Sequence, residues 1–343
     1  MVSNPPAHTW GCNTEDYLCG SAEEEQLDVL KTLELNICSM ALRRFRIQYA
    51  SNLFVDKAPI AFDKLVKPVP HTKVLALLGN IGRPTSKKTH EFLEYCASHW
   101  NKVLWIMGPH ELTNTDTDAK DAKLYYQKAD TTLTLANEFS GGITILNHTE
   151  YHSHESNVTI AGASLWSPNK KIMPNEPEFR DIFTATWEKQ ITPMKPETYI
   201  KWNKEDIEYF ETTKKYWNMM KQKRNLVFLS HHLPLRSLYS QGLSRSTYNR
   251  MTLDVNALDN MMGDPIRYWL GGSTGSCSSG MFNNTFCGVN SCFEYQYTKW
   301  KPNRNYDSMR FVDIVADESD DTVPTIPKKR SSMFCHHLSL GKI

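Results

Sequence analysis

Short apolar runs bounded by glycine, proline, asparagine or serine recur along the chain at Phe45–Tyr49, Val74–Leu78, Val103–Met107, Ile143–Leu146, Val158–Ala161, Leu226–Leu229, Tyr268–Leu270, Phe293–Tyr297 and Phe311–Val315. Runs this short and this apolar predict strands buried on both faces. Between several of them, apolar residues at three- and four-residue spacing predict helices over Lys87–Trp100, Ala119–Glu138 and Lys204–Gln222. Ahead of the first run, Leu27, Leu30, Leu33, Ile37, Met40 and Ala41 form an apolar stripe behind an acidic first turn, which predicts an amphipathic helix over Glu23–Arg44 capped by Ser21. Strands alternating with helices predict an α/β fold in which sheets are covered by helices. The pattern divides the chain into an extension over 1–44, a domain over 45–316 and a tail over 317–343 that turns from acidic to proline-rich to basic. The tail is read as an exposed or partner-docked arm.

Composition narrows this further. The 343 residues are 40% hydrophobic, enough for a sizeable core. Lys and Arg total 39 against 38 for Asp and Glu, so net charge offers no argument for a nucleic-acid or anionic-membrane partner. Basic clusters at Lys221-Gln222-Lys223-Arg224 and Lys328-Lys329-Arg330 are read as a solvated helix end and part of the tail. No apolar run is long enough to span a bilayer, and the first residues are too polar for a signal sequence, so an intracellular, cytoplasmic, non-secreted protein is expected. The eight cysteines, at Cys12, Cys19, Cys38, Cys96, Cys277, Cys287, Cys292 and Cys335, show no zinc-like spacing and are read as reduced thiols, ahead of a redox cluster over Cys277–Cys292.

In a layered α/β protein, sites form just beyond the carboxyl ends of the strands. Successive runs are followed there by Ser51-Asn52-Leu53-Phe54, Gly79-Asn80-Ile81-Gly82, Gly108-Pro109-His110-Glu111, Ser230-His231-His232-Leu233-Pro234 and Gly271-Gly272-Ser273-Thr274-Gly275. In order and spacing this series resembles the five signatures of the calcineurin-like metallophosphoesterase family, whose usual forms are SDLH, GDIG, GNHE, THHLP and GHTH. The resemblance runs from about Phe45 to Val315 and implies a four-layer α/β/β/α sandwich with two packed mixed sheets. It also implies a centre of two divalent ions, commonly iron, manganese or zinc, which clamps a phosphate and generates the nucleophile.

The ligands that this centre would need have been exchanged. Where the first signature supplies Asp and His, the chain has Asn52 and Phe54. The bridging Asp of the second is Asn80, and the Asn of the third is Pro109. The fourth keeps His231, and the fifth has Ser273 and Gly275 in place of two histidines. A neutral amide cannot hold a bridging position between two dications, and an apolar ring or a proline supplies no ligand. His110 survives as a vestigial general acid with nothing to assist.

Local readings of the same residues need no metal. Asn52 and Asn80 bond across the vacated pocket, His231 and His232 bond to backbone, and His110 with Glu111 braces a loop or caps a helix. His148, His152 and His154 fall in a polar hairpin-like loop and are read as exposed histidines rather than a second metal site. The expectation is a catalytically inactive member acting as a structural or protein-interaction module, within a large assembly such as a virus particle, with no cofactor and with protein partners. Two alternatives stand beside it. One is a residual phosphoesterase holding a single divalent metal (Mn, Fe or Zn) through His231, His110 and carboxylates such as Asp56 or Glu111. The other is a module that binds phosphate or nucleotide without cleaving it, through backbone amides of Gly272–Gly275.

Overall fold

The computed structural model describes residues 26–27, 29–31, 44–112, 142–153, 156–166, 183–185, 191–193, 196–220, 224–238, 256–272, 277–293 and 303–315. The strands are β1 (Arg44–Ala50), β2 (Val74–Leu78), β3 (Lys102–Ile106), β4 (Ile143–Ile145), β5 (Thr149–Ser153), β6 (Val158–Ala163), β7 (Phe183–Ala185), β8 (Ile191–Pro193), β9 (Asn225–Ser230), β10 (Ile266–Gly271), β11 (Cys277–Phe282), β12 (Thr285–Asn290) and β13 (Phe311–Val315). The helices are α1 (Phe62–Leu65), α2 (Lys87–His99), α3 (Pro109–Leu112) and α4 (Pro196–Met219).

Two mixed sheets form the centre. The first has the order β13-β1-β2-β3-β4 and the second β11-β12-β10-β9-β6-β5; β7 and β8 pair separately. In the first, β1 to β4 are parallel and β13 runs antiparallel to β1. In the second, β6, β9, β10 and β12 are parallel, with β5 and β11 antiparallel at the edges.

The two-residue period of the strands assigns each apolar side chain to a layer. Ile47, Tyr49, Val74, Ala76, Leu78, Leu104 and Ile106 face Val158, Ile160, Val227, Leu229 and Leu270 between the sheets. The alternate residues Leu75, Leu77, Val103 and Trp105 face outward onto Phe92, Leu93 and Cys96 of α2. On the far side, Leu226, Phe228, Trp269 and Val289 pack against Phe210 of α4. Tyr199, Asn203, Asp206, Phe210 and Thr213 are its buried positions, at three- and four-residue spacing. The result is the α/β/β/α sandwich that the motif series implies.

Some elements differ from the sequence reading. The helix expected over Glu23–Arg44 is helical at residues 26–27 and 29–31, but Arg44 already opens β1; residues 32–43 lie outside the described set. The expected Lys204–Gln222 helix begins at Pro196, where proline suits the first turn because its missing N–H has no partner there anyway. The presumed loop around His152 is strand β5, and β11 and β12 were not anticipated. Phe293 follows β12, while residues 294–297 of the strand expected there lie outside the described residues, as do Ala119–Glu138, His154 and residues 317–343. Cys96, Cys277, Cys287 and Cys292 are free thiols; Cys12, Cys19, Cys38 and Cys335 lie outside the described residues. No helix among the described residues is long and apolar enough to cross a membrane.

Candidate functional site

The loops that leave β1, β2, β3 and β9 converge at one end of the sandwich. At this end Asn52 sits in the left-handed region at φ 52°, as do Phe54 at φ 43° and Asn80 at φ 55°. Asparagine tolerates this conformation because its short amide bonds locally; phenylalanine has no such compensation, so Phe54 is strained. Backbone bonds hold the tight course, with the Asn52 N–H donating to the Gly79 carbonyl at 3.0 Å and the Phe54 N–H to that of Asn80 at 3.0 Å. Close approach explains two glycines. A Cβ on Gly79, itself at φ +81°, would lie 2.3 Å from His231 Nδ1, and one on Gly272 would lie 2.1 Å from the Leu78 carbonyl oxygen.

The two asparagines are bonded to each other. Asn80 Nδ2 donates to Asn52 Oδ1 at 3.0 Å, and Asn80 Oδ1 accepts the His110 backbone N–H at 2.8 Å. Asn52 Nδ2 donates to Ser291 Oγ at 2.7 Å and also faces the Gly272 carbonyl at 3.4 Å. Both amide oxygens therefore carry a donor, and the polar network closes on itself. With carboxylates at both positions, two buried negative charges would oppose each other at the same separation.

Glu111 ties the loop after β2 to the loop after β3. Its carboxyl accepts backbone N–H groups from Asn80 (3.0 Å), Ile81 (2.6 Å) and Gly108 (2.8 Å). Full burial pushes its pKa up to about 7, against the lowering effect of these donors. Pro109 opens the one-turn helix α3, a position that proline fills without losing a bond.

His110 and Asp56 form a buried pair, with His110 Nε2 2.9 Å from Asp56 Oδ1. The Arg83 Nε donates to the other carboxylate oxygen at 2.8 Å. Burial alone would raise the Asp56 pKa, but the hydrogen bonds from His110 and Arg83 and the Arg83 charge outweigh it and hold the carboxyl well below its usual range. Burial lowers His110, only partly offset by Asp56. The pair is thus a neutral imidazole donating Nε2–H to an ionised carboxylate whose countercharge is Arg83. The Phe54 ring stands edge-on to that imidazole at 4.9 Å between centroids, filling the place the family resemblance gives to a histidine.

His231 is fully buried, and its Nδ1 lies 2.8 Å from the Leu78 carbonyl. A carbonyl can only accept, so Nδ1 carries the hydrogen and Nε2 presents a lone pair. That Nε2 has no partner among the described residues. Burial brings the pKa down to about 4, so the ring is neutral. His232 is also buried and held well below its ordinary value, first by burial and then by the neighbouring His231.

The residues present do not fit a two-metal centre. The oxygens of Asn52 and Asn80 are already engaged, Phe54 and Pro109 offer no ligand, and His231 Nε2 is one acceptor without companions. Asp56 and Glu111, considered as replacement ligands, are committed to Arg83 with His110 and to backbone amides. Among the described residues no group of three or more His, Cys, Asp or Glu side chains could hold a metal ion. Ser273 and Gly275, with the remainder of the proposed Gly272–Gly275 amide nest, lie outside the described residues; the Gly272 N–H donates to the His231 carbonyl at 2.9 Å.

Away from this centre, His148 is paired rather than simply exposed: its Nε2 lies 2.5 Å from Asp206 Oδ1, whose other oxygen accepts the Trp166 N–H at 3.1 Å. His152 lies 3.4 Å from Glu150. The sequence reading missed Asp206, Arg83 and Ser291. Arg83 directly follows the second motif and was open to notice, whereas Asp206 and Ser291 are brought in by the fold from far along the chain.

No family model matches the sequence. A mycobacterial structure, the phosphopantetheinyl hydrolase of Mycobacterium tuberculosis, superposes with a TM-score of 0.53 at 14% identity, covering 82% of this chain and 99% of that one. The chain has the calcineurin-like metallophosphoesterase fold. A dimetal phosphatase from Danio rerio superposes at a TM-score of 0.38 and 9% identity over 80% of this chain and 99% of its own. In sequence, an uncharacterized protein of Acanthamoeba polyphaga mimivirus, L509, is 25% identical over 256 residues, which is 70% of this chain and 83% of the relative.

Proposed function

We propose that this metallophosphoesterase-fold protein does not hydrolyse phosphate esters and serves as a structural or protein-interaction module. The observation that carries the reading is the Asn80 to Asn52 hydrogen bond at 3.0 Å, which occupies with a neutral amide pair the position where a hydrolase would need bridging charge. Without a bound metal, no water has its pKa brought toward neutrality, and His110 has no leaving group to protonate. Glu111 braces the loops around the pocket through three backbone N–H groups, so the shape of the site stands without a metal. The mimivirus relative supports a viral setting, with a virus particle as the assembly in which the module acts.

The test is turnover of an aryl phosphate and an aryl phosphodiester by the purified protein with manganese supplied. Rates at the no-enzyme background are expected. Metal-dependent turnover that His231→Ala abolishes would overturn the proposal.

A further inference from the structure

We propose that His148 and Asp206 form a second, metal-free site, in which Asp206 orients the imidazole and His148 Nδ1 acts as general base in the hydrolysis of a carboxylic ester. The inference goes beyond the interaction-module reading and does not depend on it.

The pair is built from the turn that leads into β5 and from α4. His148 sits in the left-handed region at φ 54°, and its N–H donates to the Gly162 carbonyl at 3.0 Å. That conformation is uncommon outside glycine and persists where surrounding contacts fix the residue, often at functional sites. Here the contacts come from Asp206 and Tyr209, three residues apart and therefore on one face of α4. Asp206 is 2% exposed, and its Oδ1 lies 2.5 Å from His148 Nε2 while its other oxygen accepts the Trp166 N–H at 3.1 Å. The Tyr209 ring lies against the imidazole at 5.1 Å between centroids, and its hydroxyl donates to the Thr149 carbonyl at 2.7 Å. One edge and one face of the imidazole are thereby fixed.

The opposite edge is open. The His148 side chain is 35% exposed, and its Nδ1 makes no hydrogen bond among the described residues. A carboxylate at Nε2 keeps the hydrogen on that nitrogen and leaves the lone pair on Nδ1. The same bond stabilises the imidazolium that forms when Nδ1 takes a proton, the part an aspartate plays beside a catalytic histidine. His152, further along β5, is not equivalent: its Nε2 lies 3.4 Å from Glu150 and its Nδ1 3.2 Å from Thr159 Oγ1, so both nitrogens are engaged. A base of this kind moves a proton and brings no cation, so its substrate class is a carboxylic ester with a good leaving group and not a phosphate ester, whose developing charge calls for cations. In the step, Nδ1 takes a proton from water as the water oxygen bonds to the ester carbonyl carbon. The tetrahedral adduct then expels the alkoxide or aryl oxide, which receives that proton from the imidazolium.

The test is hydrolysis of 4-nitrophenyl acetate by the full chain without added metal. Saturable turnover with a normal solvent deuterium isotope effect is expected. His148→Gln keeps a donor toward Asp206 but no base, and should lower kcat/KM at least about ten-fold, a positioned general base supplying about 10²–10⁴. Its far-UV dichroism and melting should stay as in the parent. Asp206→Asn, at the positioning residue, should lower kcat with KM unchanged, and His152→Gln should react like the parent. A His148→Gln protein as fast as the parent, or turnover without an isotope effect, overturns the inference. Acetate ester turnover without aryl phosphate turnover supports it, whereas metal-dependent phosphate turnover overturns only the reading of the metallophosphoesterase centre as inactive.

Discussion

Replacing Asn80 by aspartate changes one atom of a buried network and tests the physical argument directly. Asn80 is 1% exposed, and both residues tolerate positive φ, so the backbone is unaffected. The amide donor that lies 3.0 Å from Asn52 Oδ1 becomes an oxygen, leaving two acceptors face to face. Loss of the donor leaves a buried acceptor unsatisfied, a cost of about 1–3 kcal/mol. The new carboxyl also loses hydration, so its folded pKa rises above the unfolded value of about 3.9. The sign follows from linkage: a group with a raised folded pKa contributes its full stability below the unfolded pKa and loses it as pH rises toward the folded one. Below that range the protonated carboxyl can donate to Asn52 Oδ1 and replace the lost bond. The variant should therefore be about 3 kcal/mol less stable than the parent at pH 8, a drop in Tm of about 6–12 °C, with a much smaller difference at pH 5. Denaturant unfolding of both proteins at the two pH values reads this out. Equal stability at pH 8, or a difference that does not change with pH, would refute the closed-network argument.

Two further perturbations follow from the same geometry. His231 is neutral in the fold, with a pKa of about 4. Its contribution is fully present above the unfolded pKa of about 6.5 and is lost as pH falls toward 4, about 3 kcal/mol in all. The stability gap between the parent and His231→Leu, measured by urea unfolding, should narrow by that amount between pH 7 and pH 4; a constant gap would mean that His231 is protonated or exposed. Gly272→Ala would place a Cβ 2.1 Å from the Leu78 carbonyl oxygen and 2.9 Å from Ser51 Cβ. It should cost about 3 kcal/mol, and a Tm within about 2 °C of the parent would contradict the close approach of these loops.

How much of this was legible beforehand depended on whether the deciding partner was local. Val74–Leu78 was readable to the residue because it is an unbroken apolar run between Lys73 and Gly79, and Phe311–Val315 because Asp313 alone interrupts its apolar residues. The edge strands β5 and β11 were not, because Thr149-Glu150-Tyr151-His152-Ser153 and Cys277-Ser278-Ser279-Gly280 carry polar or small residues that edges tolerate. Strand β12 was missed because Gly288 interrupts its apolar pattern at a point where the Tyr49 hydroxyl leaves no room for a side chain. At the site, the motif loops could be placed because each directly follows a strand. The hydrogen bonds of Asn52 to Ser291 and of His148 to Asp206 join residues far apart in sequence, and only the packing of the sheets and α4 brings them together.

The central claim is that the site is a closed polar network rather than a metal centre, and metal stoichiometry tests it most directly. Protein purified without chelators is analysed by mass spectrometry for manganese, iron and zinc, and its melting is followed with and without millimolar manganese. The account predicts well under one metal per chain and no shift in Tm, because a ligand that binds only the folded state must raise stability in proportion to its occupancy. One or two metals per chain, lost in His231→Ala together with a manganese-dependent rise in Tm, would contradict it.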